Sequence, residues 1–428
     1  MEKVRKAIVI GGGPAGLSTA LRLHQTTDIS CTVYELRPEP TTLGGAIGIF
    51  SNGMRLFHRL GLHDELLSRG SSHSRFVLHS LQGSILGEQD MVGAARETMG
   101  FGYLRIKRTD LLDVLLRATT KARIPIHYGK RLTAIQDSSS GVTVTFSDGT
   151  TDSADILLGC DGIHSSVRKL YVDPAQEPVY SGFAGYGSII PITALGSSAA
   201  ATASQVRGID ATLTQEGAFA AMSCSAADDE LYWAFSGQVS VPEAGDTRDG
   251  WEVRRKEEVD GFKASMLQVL GGASGDWATL MRRVVEATDV VKFYPVFKLP
   301  LGGAWSRGRC LLLGDAAHAM PPHAGQGVSM ALEDAFLAAR LLKDLPLAQQ
   351  QQLDDAFATY DRVRRPRVDE IAKKAASNAD VRKKTGPVGL RIKEWVIWAF
   401  LWVAWATGRQ SVGVEQRHLV YDIDAAKL

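Results

Sequence analysis

Cysteine is scarce. The chain of 428 residues has four, at Cys31, Cys160, Cys224 and Cys310, with no C-x-x-C pair among them. Thiols scattered this way exclude a zinc-ribbon spacing and a disulfide framework, so no metal site is expected. Three of them lie in or beside apolar runs that read as strands, which predicts buried, reduced thiols in a cytoplasmic protein. No apolar run reaches the ~18 residues needed to cross a bilayer. Met1 to Lys6 is too short and too charged for a signal peptide. An excess of one charge is missing as well. Lys and Arg number 48 and Asp and Glu 47, a formal net charge of +1. Nothing in that balance points to nucleic acid or to an acidic partner. Hydrophobic residues at 45% and charged residues at 22% are ordinary for a soluble globular protein. The length suits two domains, or one α/β domain with a large insertion.

What the chain does have is glycine in a pattern. Ala7 to Ile10 is an apolar run of the kind that forms a buried parallel strand. Gly11, Gly13 and Gly16 follow in the spacing G-x-G-x-x-G, and Leu17 to Leu23 continues as a helix. The first glycine permits the tight turn, the second lets a pyrophosphate approach the backbone, and the third lets helix and strand pack closely. The helix N-terminus offers free N–H donors to phosphates. A second strand, Cys31 to Tyr34, ends at Glu35, whose carboxylate suits the hydroxyls of an adenosine ribose. This context predicts a dinucleotide site and leaves NAD and FAD undistinguished.

Further along, Gly44, Gly45, Ala46 and Gly48 would let backbone lie against a flat ring, or form a plain glycine-rich loop. Ser51 or Asn52 is expected to cap a helix running to Leu60. Ser74 to Leu86 reads as a hairpin. Thr109 is the expected cap of the next helix, with Arg105, Lys107 and Arg108 just before it. Cations are disfavoured at a helix N-terminus unless a phosphate is near, which makes Arg108 a candidate cofactor ligand. Ile126 to Asp137 and Val142 to Phe146 read as strands. An apolar strand then ends at Asp161-Gly162, with a helix expected to start near Ser165. Ligands gather at the carboxyl ends of such strands. From about Val179 to Val291 the βαβ rhythm gives way to short alternating runs, with a helix expected over Gly250 to Gly271. Cys310 to Leu313 reads as another buried strand, ending in Gly314-Asp315. A proline-rich loop then leads to Gly325-Gln-Gly327 at the start of a helix reaching Leu342. Free N–H groups there would stabilise the negative charge that reduced flavin carries at N1 and C2=O.

These motifs resemble the class A FAD-dependent aromatic hydroxylases of the p-hydroxybenzoate hydroxylase fold, and most of all the salicylate hydroxylase-like enzymes of fungal secondary metabolism. The matching elements are Gly11-x-Gly13-x-x-Gly16 with Glu35, Asp161-Gly162, and Gly314-Asp315 followed by Pro321 to Gly327. The resemblance implies an α/β protein. A Rossmann-like FAD-binding domain would occupy residues 1–73, 101–178 and 294–385. An inserted, mostly antiparallel substrate domain would take 74–100 and 179–293, and a C-terminal helix and tail 386–428. It implies that Gly11, Gly13, Gly16 and Glu35 hold the ADP half of FAD, with Gly48 near the flavin and Arg108 by the linker. Asp161 would serve the motif joining FAD to NADPH or NADH. Asp315 would bind the ribityl-pyrophosphate, and Gly325, Gly327 and Val328 would face flavin N1 and O2. The implied activity is NAD(P)H- and O2-dependent hydroxylation or epoxidation of a small electron-rich aromatic or unsaturated molecule, through a flavin C4a-hydroperoxide, in natural-product biosynthesis. A dehydrogenase, oxidase or halogenase on the same fold is the alternative, and a non-catalytic FAD-fold protein a more remote one. The halogenase W-x-W-x-I-P element is absent.

Gly187 stands where relatives carry an arginine that orients a phenolate, which shifts the expectation toward a neutral substrate. Tyr186, Tyr232 and His323 are candidates for contacting substrate or moving a proton. Trp395, Trp398, Trp402 and Trp405 recur on one face of a C-terminal helix. That face is expected to dock on the chain's own core or on the second subunit of a homodimer, in preference to a membrane surface.

Overall fold

The computed structural model describes residues 3–40, 44–239, 252–253, 256–346, 350–407 and 416–428. Its centre is a six-stranded sheet. The order is Ser306–Arg307, Cys310–Leu312, Ile156–Gly159, Lys6–Ile10, Ser30–Tyr34, Ile126–His127. All pairs are parallel except the short Ser306–Arg307 hairpin at one edge. Strands in such a sheet are covered on both sides, and Ala7, Ile8, Val9, Ile156, Leu157 and Leu158 are accordingly fully buried. The Pro14–Thr26 helix packs against the helices Gly327–Leu342 and Arg108–Lys121. A three-stranded meander, Leu132–Ser138, Gly141–Phe146 and Thr151–Ala154, lies alongside, with Phe146 stacked on Tyr34 at 4.5 Å.

A second sheet of eight strands carries the insertion. Arg75–His79 and Ile85–Asp90 form one end of it, with Arg75–His79 parallel to Gly208–Leu213 and every other neighbour antiparallel. One face is covered by the helices Ser197–Ala203, Lys256–Val269 and Gly275–Glu286 through Trp233, Phe235, Leu280 and Met281. Buried indoles find polar partners there: Trp233 Nε1 donates to Thr288 Oγ1 at 2.8 Å and Trp277 Nε1 to Thr212 Oγ1 at 2.5 Å. This is the expected α/β class, with a Rossmann-like domain, an inserted and mostly antiparallel sheet, and a C-terminal helix.

Several local expectations are corrected. The run Ile126 to Asp137 is two strands in two sheets, because Gly129, at φ +69°, turns the chain between them. The helix Arg108–Lys121 follows its strand directly, with Lys107 in the cap position, so Thr109 lies inside the first turn. Phe50, not Ser51 or Asn52, precedes the helix Ser51–Arg59, and Asn52 turns inward. Helix Lys256–Val269 begins later than the expected Gly250, which lies outside the described residues. The helix Pro387–Ala406 docks through Leu390, Glu394 and Ala404. Its tryptophans therefore point outward: Trp395, Trp398 and Trp402 are 65, 43 and 54% exposed, so this face does not dock on the chain's own core. The side chain of Trp405 lies outside the described residues. Among the described residues no helix is long and apolar enough to cross a membrane.

One buried charge cluster ties the last third of the chain to the rest. Glu333 and Asp334, on the Gly327–Leu342 helix, have no exposed surface, and neither has Arg364 on the Gln350–Asp380 helix. Arg364 donates to Asp334 Oδ1 at 2.7 Å and to Glu333 Oε2 at 2.5 Å. Arg367 donates to both oxygens of Glu333. Asp334 Oδ2 accepts from Gly314 N at 2.7 Å and meets His318 Nε2 at 2.7 Å. Burial works to raise both carboxyls. His318 and Arg364 around Asp334, and Arg367 and Arg364 around Glu333, overcome it and hold them below the usual carboxylate range. Removing Arg364 leaves two buried carboxylates short of a counter-charge. Arg364→Ala is therefore expected to lower stability by about 3–5 kcal/mol, read from the urea unfolding midpoint.

Candidate active site

Four adjacent parallel strands end at one edge of the central sheet, and each is followed by a residue singled out from the sequence. Lys6–Ile10 leads to Gly11, Ser30–Tyr34 to Glu35, Ile156–Gly159 to Asp161, and Cys310–Leu312 to Asp315. Gly11 has φ +109°, and a Cβ there would fall 2.4 Å from Cys160 O. A Cβ at Gly16 would fall 1.9 Å from Gly11 O. These two glycines are therefore fixed by the chain's own packing. Gly13 differs: nothing lies within 4 Å of its missing Cβ, and the helix behind it starts without a side-chain cap. That leaves an open, uncapped helix N-terminus beside Glu35, whose Oε2 accepts from Gly12 N at 2.7 Å and Oε1 from Arg37 N at 2.9 Å.

Asp161 Oδ2 accepts from the N–H groups of Ser166 and Val167 at 2.6 and 3.2 Å, while Oδ1 is buried without a partner. Burial raises this carboxyl, against the Ser165 hydroxyl and the backbone donors. Arg168, which the sequence reading passed over, joins this loop to the next. Its guanidinium donates to Ile163 O at 2.5 Å and to Ala316 O at 2.8 Å. Asp315 faces open space, yet protein surrounds it closely enough that desolvation pushes its carboxyl up, against the charges of His318 and Arg108. Gly314 closes the arrangement: a Cβ there would fall 3.2 Å from the Cβ atoms of both Ala15 and Ala331. The Gly11 turn, Asp315 and the Gly327–Leu342 helix thus meet in space.

The loop before the Ser51–Arg59 helix forms the other wall. A Cβ at Gly44 would fall 2.5 Å from Arg108 Cδ, one at Gly45 2.2 Å from the Tyr232 ring, and one at Gly48 2.5 Å from Tyr103 Oη. Tyr232 also lies over Gly187, 3.0 Å from where its Cβ would be. Gly187 is small because Tyr232 fills the space an arginine would need. Positive charge enters by another strand: Lys292 is the cross-strand partner of Gly187, and its Nζ donates to Gly44 O at 2.8 Å. Desolvation, then Arg108, lowers the Lys292 pKa. Arg105, paired across from Gly48, has a buried Nε without a partner, and its guanidinium lies 5.5 Å from the Tyr103 ring centroid. Burial raises the Tyr232 hydroxyl, and the charges of Arg105 and then Arg108 act against it. Lys107 is taken up by Glu230 at 2.7 Å.

Tyr186 is not in this group. Strand alternation sends it to the helix-covered face, stacked on Phe262 at 4.4 Å, so the expected substrate contact is replaced by packing. Gly325, at φ +62°, packs on Phe50, whereas Gly327 has nothing within 4 Å and starts its helix without a side-chain cap. Val328 follows it, partly buried. Asn52 Nδ2 donates to Gln326 Oε1 and Glu333 Oε1, leaving Asn52 Oδ1 and Gln326 Nε2 buried and unpartnered. His323 packs edge-on to Phe183, with its Nε2 buried and unpartnered. The unsatisfied polar atoms, the two open helix starts and the accessible Asp315 fit an FAD molecule laid between Glu35 and Gly327. Among the described residues no cluster could hold a metal ion, and the four cysteines are buried and free.

Two outcomes follow from this geometry. Hydrogen bonds to a charged group are worth about 1.5–3 kcal/mol, so Glu35→Ala is expected to raise the Kd for FAD roughly ten- to a hundredfold, measured by flavin fluorescence. Desolvation, then Arg382, lowers the His323 pKa to about 3. The folded value lies below the unfolded one of about 6.5. Its stabilising contribution is thus complete above that pH and is lost as pH falls toward 3. The stability loss between neutral and mildly acidic pH should be shallower in His323→Asn, by urea midpoints.

Comparison with known proteins agrees with this site. A family profile described as an FAD binding domain matches residues 5–262 and 301–375. The chain is 30% identical over 393 residues to 6-hydroxynicotinate 3-monooxygenase of Pseudomonas fluorescens, covering 90% of this chain and 94% of that protein. It is 26% identical over 402 residues to salicylate hydroxylase of Pseudomonas putida, covering 89% and 86%. The crystal structure of Klebsiella pneumoniae HpxO complexed with FAD and uric acid superposes with a TM-score of 0.77 at 24% identity, over 95% of this chain and 96% of that one. With the family profile spanning most of its length, the chain belongs to this FAD-binding family, as a single-component FAD-dependent monooxygenase of the aromatic hydroxylase class that uses NADPH or NADH.

Proposed function

We propose that this monooxygenase hydroxylates a small aromatic or heteroaromatic acid that binds as an anion. The observation that carries the reading is Arg105: a half-buried guanidinium whose Nε is itself buried and without a hydrogen-bond partner, on the strand paired with Gly48. A buried donor left unpaired is costly, and an anionic oxygen of a substrate would satisfy it. The neutral substrate expected from Gly187 rested on one missing arginine, and Lys292 and Arg105 supply cations from other strands. The relatives named for 6-hydroxynicotinate, 3-amino-4-hydroxybenzoate and salicylate support the same class.

FAD, when bound and reduced by NAD(P)H, supplies the activation of O2 that delivers one oxygen atom to the ring. Gly11, Gly13, Gly16 and Glu35 would hold its ADP half, with Asp161, Arg108 and Asp315 further along. The uncapped start at Gly327 and Val328 would stabilise negative charge on the reduced ring system. Arg105 fixes the substrate through its anionic oxygen, and the Tyr232 hydroxyl sets the ring's orientation from the sheet side. Ala220, Met222 and Ala234 complete an apolar wall on that face and exclude water from the transfer. Burial, then Arg382, keeps the His323 imidazole neutral at physiological pH, so it is a weak base and its unpartnered Nε2 is suited to a neutral hydrogen bond, not to taking up a proton.

The test is a panel of hydroxy- and amino-substituted aromatic acids and their neutral methyl esters, offered to the FAD-loaded enzyme. The acids should stimulate NAD(P)H oxidation and yield a product carrying one atom from labelled O2. Arg105→Met should raise KM for the acids roughly ten- to a hundredfold with a smaller change in kcat. Equal turnover of esters and acids by the native enzyme would refute the anionic substrate.

A further inference from the structure

The helix Pro387–Ala406 lies along Ile85–Asp90, the strand at the free edge of the substrate sheet. It is held from one side only. Leu390 and Ala404 are buried, Glu394 Oε1 accepts from Leu81 N at 2.9 Å, and Leu401 fills the space beside Gly87. The opposite side carries Ile392, Trp395, Trp398, Phe400, Trp402 and Val403, each between 43 and 65% exposed. Trp398 and Trp402 stack on each other, centroids 6.5 Å apart, not on the body of the protein. Twenty residues of helix give about 30 Å of length, so this is a long apolar band of a kind that soluble monomers rarely leave uncovered.

We propose that this face is a monotopic membrane anchor, lying in the surface of a bilayer that contains anionic phospholipid. Indole rings combine an apolar body with one N–H donor and favour the boundary between acyl chains and headgroups. The helix lies on a bilayer and does not cross it, because its other side is committed to the protein through Glu394 and Leu390. The charge distribution identifies the lipid. Residues 381–407 hold five basic side chains, Arg382, Lys383, Lys384, Arg391 and Lys393, and one acidic, Glu394. That is a net +4 in a chain whose total is +1, so the remainder is net −3. Lys383 and Lys384 pair with Asp380 and Glu216 at exposed sites, and together with Arg391 and Lys393 on the helix they place positive charge beside the apolar band, matching a negative headgroup layer. Arg391 separates this occupant from a second copy of the chain. It precedes Trp395 by one helical turn and is exposed on the same side, while the helix's one acid, Glu394, is buried and engaged. A two-fold contact would desolvate Arg391 with no carboxylate on the face to meet it. At a bilayer the same side chain reaches a phosphate.

The experiment uses the full chain with FAD bound and extruded vesicles of phosphatidylcholine, with or without phosphatidylglycerol. Flotation should carry the protein with the phosphatidylglycerol vesicles, with a blue shift of tryptophan emission. Trp395→Ala with Trp402→Ala should weaken partitioning about tenfold or more, with FAD retention and melting temperature unchanged. Arg391→Glu should remove the preference for phosphatidylglycerol over pure phosphatidylcholine. A protein that floats with neither vesicle overturns the proposal. So does a dimer in solution that the double tryptophan variant dissociates, because the face would then belong to a second copy.

Discussion

The structure turns on a buried ion cluster behind the Asp315 and Gly327 segments. Arg364 reaches from the long Gln350–Asp380 helix to Asp334 and Glu333. Asp334 in turn grips Gly314 N and His318, at the two ends of the Asp315–His318 turn. Glu333 grips Asn52, which belongs to the opposite wall. One set of charges therefore fixes the spacing of three segments that border the cofactor cleft. An apolar core of equal volume would hold the helices together as well. It would not set Asp315 and Gly327 at a defined distance from the Ser51–Arg59 helix, because dispersion contacts are not directional and ion pairs with hydrogen bonds are.

The glycines divide by what they admit. Gly11, Gly16 and Gly314 are small because other parts of this chain press on them. Gly13 and Gly327 have empty space where a side chain would be, and both adjoin uncapped helix starts. The first group builds the turn geometry and the second leaves room for a ligand. Gly44, Gly45 and Gly48 belong with the first, since Arg108, Tyr103 and Tyr232 fill the space beside them. A flat ring need not lie on the loop itself; the loop positions the side chains that would face it.

The convergence of four strand ends was readable from the chain. Each signal there is a short run at a strand end, with its helix or turn adjacent in sequence, and parallel strands bring such ends together whatever lies between. Gly11, Glu35, Asp161 and Asp315 illustrate this, far apart in sequence yet just past the ends of neighbouring strands. The substrate side was not readable in the same way. Lys292 has no motif around it, and only the antiparallel register opposite Gly187 brings it beside the Gly44 loop. Arg105 and Arg108 look alike in a basic run; backbone pairing with Gly48 sets one near the Tyr103 ring and helix entry sends the other toward Asp315. Tyr186 and Tyr232 differ only in strand parity, which requires knowing which face is covered. The tryptophan helix defeated periodicity for another reason. Leu390, Ile397 and Leu401 line one side and tryptophans the other, so the helix is apolar nearly all round and its pattern does not say which side docks.

Lys292 and Arg105 show that a missing arginine at Gly187 does not leave this wall without positive charge. A binding site needs a charge at a place, and several backbone positions can deliver a long basic side chain to it. At Gly187 the place for an arginine Cβ is taken by Tyr232 and the carbonyl of Trp233. The same strand's neighbour and the strand opposite Gly48 then contribute Lys292, whose Nζ donates to Gly44 O, and Arg105. The consequence is chemical as well as geometric. A floor made of Tyr232, Ala234 and Ala220 is apolar with one hydroxyl, and positive charge stands at its edge. A ring bound there would keep its reacting carbon over apolar surface and its anionic group toward the cations. That arrangement separates the group that is recognised from the carbon that is oxidised.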